Sequence, residues 1–221
     1  MRAIIAKEAG GPEVLSIQET DAPTPGPGEV LVRTAAVGVN FIETYQRSGL
    51  YRVPLPFTPG AEAAGTVFAV GDGVAGVELG SLVATAEGRA SYAEQFVVPA
   101  AAAVQVPSGI TAEVAAALPL QGLTAHYLAT SAARPESGET VLVHAGAGGV
   151  GLLLTQLLTA RGVRVLTTVS TPEKRALSLA AGAVEALDYA EFADRARELT
   201  DGAGVAVVYD GVGKDTFDDS L

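Results

Sequence analysis

The run Val141-Leu142-Val143-His144-Ala145-Gly146-Ala147-Gly148-Gly149-Val150-Gly151 carries a β-branched apolar segment into glycines and then into Leu152-Leu153-Leu154. That order predicts a strand, a tight turn and a helix. Gly146, Gly148 and Gly151 stand at the G-x-G-x-x-G spacing, which is informative only when a strand precedes it and a helix follows. Both do here. The spacing assigns the first glycine a turn with φ > 0, the second a close approach of backbone to a pyrophosphate, and the third tight helix–strand packing. The helix then aims unpaired N–H groups and the positive end of its dipole at the phosphates. Three spaced glycines are easily met by chance in a chain with 26 of them. A βα turn without a ligand is therefore the alternative, and the flanking pattern favours the dinucleotide.

Downstream, apolar runs and helical spacing alternate. Strands are expected over 140–144, 163–169, 184–187 and 205–210, and helices over 149–160, 172–181 and 191–199. Strands alternating with helices of about ten residues mean βαβ units and a parallel sheet. Thr171-Pro172 marks a helix start, and Gly162 and Gly182 stand where helices end. A doubly wound dinucleotide fold has two βαβαβ halves. The sequence supplies the first half and one further strand before Leu221, so the expectation is either a fragment or strands supplied in another way.

Upstream, residues 1–108 are short apolar runs punctuated by glycine and proline, the pattern of a small β domain. Strands are expected over 2–6, 14–17, 29–37, 63–70, 82–84 and 92–98, with a short helix over 41–47. Pro54, Pro56 and Pro59 make the stretch before residue 60 irregular. Helical spacing over 113–118 and 123–133 places two connecting helices between the halves, the second with an interior-facing His126.

Composition narrows the chemistry. A 48% hydrophobic share in 221 residues is ample for a core, and a net charge of −11 without Lys/Arg clusters argues against nucleic acid and anionic membrane surfaces as partners. The absence of cysteine removes disulfides, thiolate nucleophiles and Cys-ligated zinc. The first residues have too short an apolar run for a signal peptide, and residues 114–133 are interrupted by Pro119, Gln121, Gly122 and His126, so neither export nor membrane insertion is expected.

At the end of the second Rossmann strand an NAD site carries an Asp or Glu for the ribose 2′-hydroxyl. Here Ser170 stands in that place, with Lys174 and Arg175 one helical turn later. A hydroxyl and a cation receive a 2′-phosphate that a carboxylate would repel, so the preference is NADPH. The alternative makes both cations solvated residues of a surface helix.

The order of a β domain and a Rossmann half resembles the medium-chain dehydrogenase/reductase superfamily. Gly38-Val39-Asn40-Phe41-Ile42-Glu43-Thr44-Tyr45-Gln46-Arg47-Ser48-Gly49-Leu50-Tyr51 resembles its quinone oxidoreductase, or zeta-crystallin-like, branch. Gly10-Gly11-Pro12-Glu13-Val14-Leu15, Pro59-Gly60-Ala61-Glu62-Ala63-Ala64-Gly65 and Gln121-Gly122-Leu123-Thr124-Ala125 agree, in the same order. Zinc alcohol dehydrogenases of the superfamily place a Cys where Asn40 stands and a His where Ala61 stands. Those departures imply metal-free hydride transfer. Gly80-Ser81, where relatives have Gly-Asp, is a further departure, confined to a surface turn.

The resemblance implies an α/β protein: an N-terminal GroES-like β-barrel domain over 1–120 for substrate and catalysis, followed by the first part of a Rossmann NADPH-binding domain over 121–221. It implies that Asn40, Tyr45 and Tyr51 line the substrate cleft and that Gln121 and Thr124 lie near the nicotinamide. Gly146, Gly148, Gly149, Val150 and Gly151 would then hold the pyrophosphate, and Ser170, Lys174 and Tyr189 the 2′-phosphate. Asn40 and the two phenols would donate hydrogen bonds to the reduced oxygen. His126 and His144 are left out of the site, His144 for a packing role at the end of its strand. The expected function is NADPH-dependent, metal-free reduction of a small-molecule quinone by a cytoplasmic homodimer. The alternatives are reduction of an electron-poor alkene (an enone or enoyl compound) and an inactive dinucleotide-binding fragment.

Overall fold

The computed structural model describes residues 1–221, which divide into two compact units, Met1–Leu120 and Gln121–Leu221. The first unit is built on antiparallel strands. β1 (Arg2–Ala6) pairs with β2 (Leu15–Glu19) in a two-stranded sheet. A five-stranded sheet joins β3 (Glu29–Val37), β4 (Ala63–Val70), β5 (Leu82–Thr85), β6 (Gln95–Pro99) and β7 (Val104–Gln105) in the order β6-β3-β4-β5-β7. Alternate residues of these strands, among them Val30, Val32, Val67, Val83, Phe96 and Val98, turn inward to one apolar core. The β3–β4 register shifts twice, between Leu31 and Val32 and between Thr34 and Ala36. Gly65 sits in this stretch, where a Cβ would fall 2.1 Å from the Arg33 carbonyl oxygen, so β4 approaches β3 at a distance only glycine permits.

Helix α1 (Phe41–Ser48) follows β3 and ends at Gly49, whose φ of 83° supplies the left-handed cap. Helix α2 (Ala112–Ala117) lays Ala115 and Ala116 against Ala64 and Ala84, a contact made close by the small side chains. The turn at Gly80-Ser81 is held by Gly80, which takes φ 82° and donates its N–H to the Val67 carbonyl.

The boundary between the units falls within α3 (Pro119–Tyr127). In the second unit β8 (Thr140–Val143), β9 (Arg164–Thr168), β10 (Glu185–Leu187) and β11 (Val207–Tyr209) form a parallel sheet in the order β10-β9-β8-β11. Helices α4 (Gly149–Ala160), α5 (Pro172–Ala180) and α6 (Phe192–Glu198) are the crossovers. Alternation along β8 divides the core in two. Val141 and Val143 pack with Leu154 and Leu158 of α4 on one face, and Leu142 packs with Leu166, Leu187 and Phe192 on the other. Successive strands run outward from β8 to β10, and then β11 returns to the opposite side of β8. That reversal is the topological switch point at which α/β sheets bind ligands beyond their strand carboxyl ends.

The expected α/β class and Rossmann half are present, and four expectations change. Residues 92–94 leave the strand, since the Ser91 and Tyr92 N–H groups pair with Gly60 and Pro59 carbonyls before β6 begins at Gln95. The helix expected over 123–133 starts at Pro119 and gives way to a π-helical turn over Leu128–Ala132. His126 is exposed rather than interior, because α3 buries Ala125 and turns its neighbour outward. The two-residue strand β7 is too short to leave a periodic signal. Leu166 is fully buried at the centre of the second unit, so Leu166→Ala is expected to lower the stability measured by urea unfolding by about 3 kcal/mol.

Candidate functional site

The glycine loop links β8 to α4, and its steric demands differ from those the spacing assigns. The left-handed residue is Ala145, at φ 51°, not Gly146. Its conformation is held from both sides: its N–H donates to Tyr189 Oη at 3.1 Å and its carbonyl accepts the Gly148 N–H at 2.8 Å. Gly146 is required for space instead. A Cβ there would lie 2.4 Å from Thr167 Cβ on the adjacent strand, so the loop can cross β9 only without a side chain. Gly151 meets the turn itself, where a Cβ would fall 2.5 Å from the Ala145 carbonyl oxygen. At Gly149 a Cβ would lie 1.8 Å from Gln121 Oε1, so α3 lays an amide side chain across the first turn of α4. Gly148 caps α4 with no side chain, leaving the exposed N-terminal backbone of the helix open to an acceptor from outside.

The other expected cofactor residues follow the carboxyl ends of the neighbouring strands. Ser170 comes after β9, and Lys174 Nζ donates to its hydroxyl at 3.1 Å. Thr171 caps α5, its side chain accepting the Lys174 N–H at 3.3 Å, and so fixes the turn that brings the two together. Arg175 goes elsewhere, to the Ala186 carbonyl and to Asp188 Oδ2 at 3.2 Å. Tyr189 comes after β10, half-buried, with its ring stacked on His144 at 6.1 Å. Gln121 and Thr124 lie three residues apart on α3 and share a face.

His144 is a buried packing residue. Its ring nitrogens face Thr168 Oγ1 at 2.9 Å and Ser220 Oγ at 3.0 Å, and its ring meets Phe192 edge-on. Burial pushes its pKa below the usual histidine value, against an opposing pull from Asp210. The neutral ring orders two hydroxyls.

In the first unit Asn40 is the N-cap of α1 and is only 8% exposed. Three residues on, Glu43 reaches back, its Oε2 accepting the Asn40 backbone N–H at 2.9 Å. The same oxygen accepts the Tyr92 hydroxyl at 2.6 Å. The Asn40 side-chain nitrogen donates to Glu62 Oε2 at 2.7 Å, and Glu62, with no exposed surface, also accepts the Leu120 N–H at 2.8 Å. Burial raises the Glu43 carboxyl above the usual carboxylate pKa, and the charge of Glu62 adds to the rise. Burial and the Glu43 bond likewise push the Tyr92 phenol upward. Tyr45 and Tyr51 pair with each other, ring centroids 5.2 Å apart, and Phe41 meets Tyr45 edge-on at the same distance. The Tyr51 N–H donates to the Tyr45 carbonyl at 3.0 Å, holding the segment after α1 against the helix.

Glu43, Glu62 and Tyr92 are thus site neighbours that residue types alone did not single out. The Asn40-x-x-Glu43 spacing is a capping-box signal, and Glu62 is a lone charge between alanines. Nothing local points to Tyr92, which arrives from another segment.

Both units match known protein families. The pattern of the alcohol dehydrogenase GroES-like domain matches residues 26–108, and that of the family described as zinc-binding dehydrogenase matches residues 149–221. The quinone oxidoreductase of Pseudomonas aeruginosa is 49% identical over 216 residues, covering 96% of this chain and 66% of that protein. A 2-haloacrylate reductase of a Burkholderia species is 38% identical over 231 residues, covering 100% of this chain and 69% of its own. Among solved structures, a mycobacterial protein complexed with NADPH superposes with a TM-score of 0.96 at 53% identity, covering 100% of this chain and 70% of its own. The Escherichia coli quinone oxidoreductase complexed with NADPH has a TM-score of 0.96 at 41% identity, covering 100% and 69%. The chain spans about two thirds of the length of the curated relatives it matches.

The raised pKa of Glu43 has a thermodynamic sign. Its folded-state value lies above the unfolded one, so the protonated carboxyl favours folding below the usual range near 4.5, and that contribution is lost as pH rises through the folded value. Glu43→Gln keeps an oxygen to accept both donors and removes the charge. Its melting temperature is expected to exceed that of the unsubstituted protein at about pH 8, with the gap closing toward about pH 4 in thermal scans.

Proposed function

We propose a function that starts from the family: the chain belongs to the quinone oxidoreductase branch of the medium-chain dehydrogenase/reductase superfamily, and its residues suit NADPH-dependent reduction of a quinone to a quinol. The observation that supports this most is the Ser170–Lys174 pair. A hydroxyl and an ammonium 3.1 Å apart occupy the strand end where an NAD site carries a carboxylate. Together they offer a donor pair to a 2′-phosphate, with Tyr189 on the next strand end. The uncapped turn from Gly146 to Gly151 suits the pyrophosphate, and Gln121 and Thr124 the nicotinamide end.

Bound NADPH supplies the hydride. The Asn40 side-chain amide, whose nitrogen donates to Glu62, is assigned to hydrogen-bond the quinone oxygen on which charge develops. The Tyr45 hydroxyl is a second donor to that oxygen, and the Tyr51 ring packs beside it. The hydride and one proton from water complete the quinol, so no side chain need change protonation state. The family resemblance extends the reading to a small-molecule substrate and a cytoplasmic homodimer; no helix is long and apolar enough to cross a membrane. Similarity to the 2-haloacrylate reductase supports one second reading, reduction of an electron-poor alkene.

Steady-state assays with NADPH or NADH against quinones and 2-haloacrylate test both readings. NADPH with a quinone is expected to give the highest kcat/KM, and a clear preference for NADH overturns the cofactor assignment. Lys174→Ala is expected to raise KM for NADPH about tenfold and to leave that for NADH nearly unchanged. Asn40→Ala and Tyr45→Phe are each expected to lower kcat/KM for the quinone about tenfold or more, and unchanged kinetics in both would reject their roles.

A further inference from the structure

We propose that Glu62 is a positioning residue that holds the Asn40 amide with its nitrogen end inward; this rests on the role given to Asn40 above. An amide side chain fits its site in two orientations that differ by a half-turn, and only its partners choose between them. Glu62 is one of those partners, on the nitrogen side of the amide. Its Oε2 accepts a hydrogen bond from the Asn40 side-chain nitrogen at 2.7 Å, so the carbonyl end of the amide points away from it. The carboxylate is itself immobile. It is fully buried, its other oxygen accepts the Leu120 N–H at 2.8 Å, and neither it nor Glu43 forms an ion pair with a lysine or arginine.

The surrounding backbone is shaped for this group. At Gly38 a Cβ would lie 2.1 Å from Glu62 Oε2 and 2.5 Å from the Ala116 carbonyl oxygen, so any other residue there would expel the carboxylate. The Gly38 N–H donates to the Glu62 carbonyl at 2.9 Å and sets the level of the turn that carries Asn40. Glu43 holds the Asn40 backbone N–H separately. Main chain and side chain of Asn40 therefore each donate to a different buried carboxylate. Burying two carboxylates without cations is unfavourable for folding, and the backbone and side-chain donors around them offset that cost. An apolar side chain in place of Glu62 would leave both the Leu120 N–H and the Asn40 side-chain nitrogen without this acceptor.

Glu62→Gln removes the acceptor that the Asn40 side-chain nitrogen uses. The Leu120 N–H cannot turn, so the Gln oxygen must accept it and the Gln nitrogen then faces the Asn40 nitrogen, donor against donor, and the bond that holds the amide from this side is lost. Asn40 is the only asparagine in the chain, so protein labelled with [¹⁵N]asparagine gives one pair of side-chain NH₂ signals. In the unsubstituted chain one hydrogen of the pair is expected downfield and slow to exchange with water. In Glu62→Gln both are expected to shift and to exchange faster, while the backbone Asn40 signal stays in place. With NADPH and a quinone, kcat is expected to fall about 30-fold and KM for NADPH to change less than twofold. In an Asn40→Ala background, Glu62→Gln is expected to change kcat less than twofold. An unmoved NH₂ pair, or equal losses in both backgrounds, overturns the assignment. Should Glu62→Gln fail to fold, Glu62→Asp replaces it: the acceptor remains but recedes, so the bonded hydrogen must move upfield, and an unchanged signal overturns the assignment. A chain inactive toward every quinone defeats the proposed function, and the asparagine signals still decide the role of Glu62.

Discussion

Close backbone approach at the β8–α4 turn is the constraint from which the second unit follows. Gly146 passes β9 where a Cβ would meet Thr167, Gly151 closes the turn on the Ala145 carbonyl, and Gly149 admits the Gln121 side chain. Each contact removes one freedom from the loop. The helix axis, the strand spacing and the α3 side chain are then set together, and the first turn of α4 faces the strand carboxyl ends with its N–H groups uncapped. Ser170 and Tyr189 arrive at the same edge because β9 and β10 are the next strands outward. The anion-receiving character proposed for this edge is thus a consequence of parallel topology, with Lys174 adding a positive charge beside Ser170.

The first unit works by a different physical means. Its five-stranded sheet is conventional, with apolar residues alternating inward, yet two carboxylates, Glu43 on α1 and Glu62, are buried without cations to neutralise them. Backbone and side-chain donors stabilise both: Leu120 N–H and the Asn40 amide at Glu62, Asn40 N–H and the Tyr92 hydroxyl at Glu43. Desolvation still dominates at Glu43, whose pKa is raised in spite of two donors. Stability is given up around the residue proposed to touch the substrate, and rigidity of one amide is what is gained. The aromatic set of Phe41, Tyr45 and Tyr51 needs no such arrangement, because edge-on and tilted ring contacts hold it on the outer side of the same helix.

Much of this was determined by the sequence alone. Gly146 to Gly151 between an apolar run and a leucine-rich run dictates strand, turn and helix, since glycine spacing and hydrophobic period are local properties. Thr171-Pro172 and the glycines at 162 and 182 bound their helices for the same reason. The serine at position 170 in place of an acid was legible as a change of charge at a known strand end. Asn40 and Ala61, which the resemblance sets against the zinc-ligand pattern, could be read without coordinates. The tertiary structure decided what depends on residues distant in sequence. It placed the left-handed turn at Ala145, because Tyr189 and Gly148 grip that residue; it took Tyr92 out of its strand, because Pro59 and Gly60 offer carbonyls; and it brought Glu62 to Asn40 across 22 positions. Spacing and composition encode the period of a segment. Which donor meets which buried acceptor is settled only when the segments pack, because that choice is made by distance and desolvation.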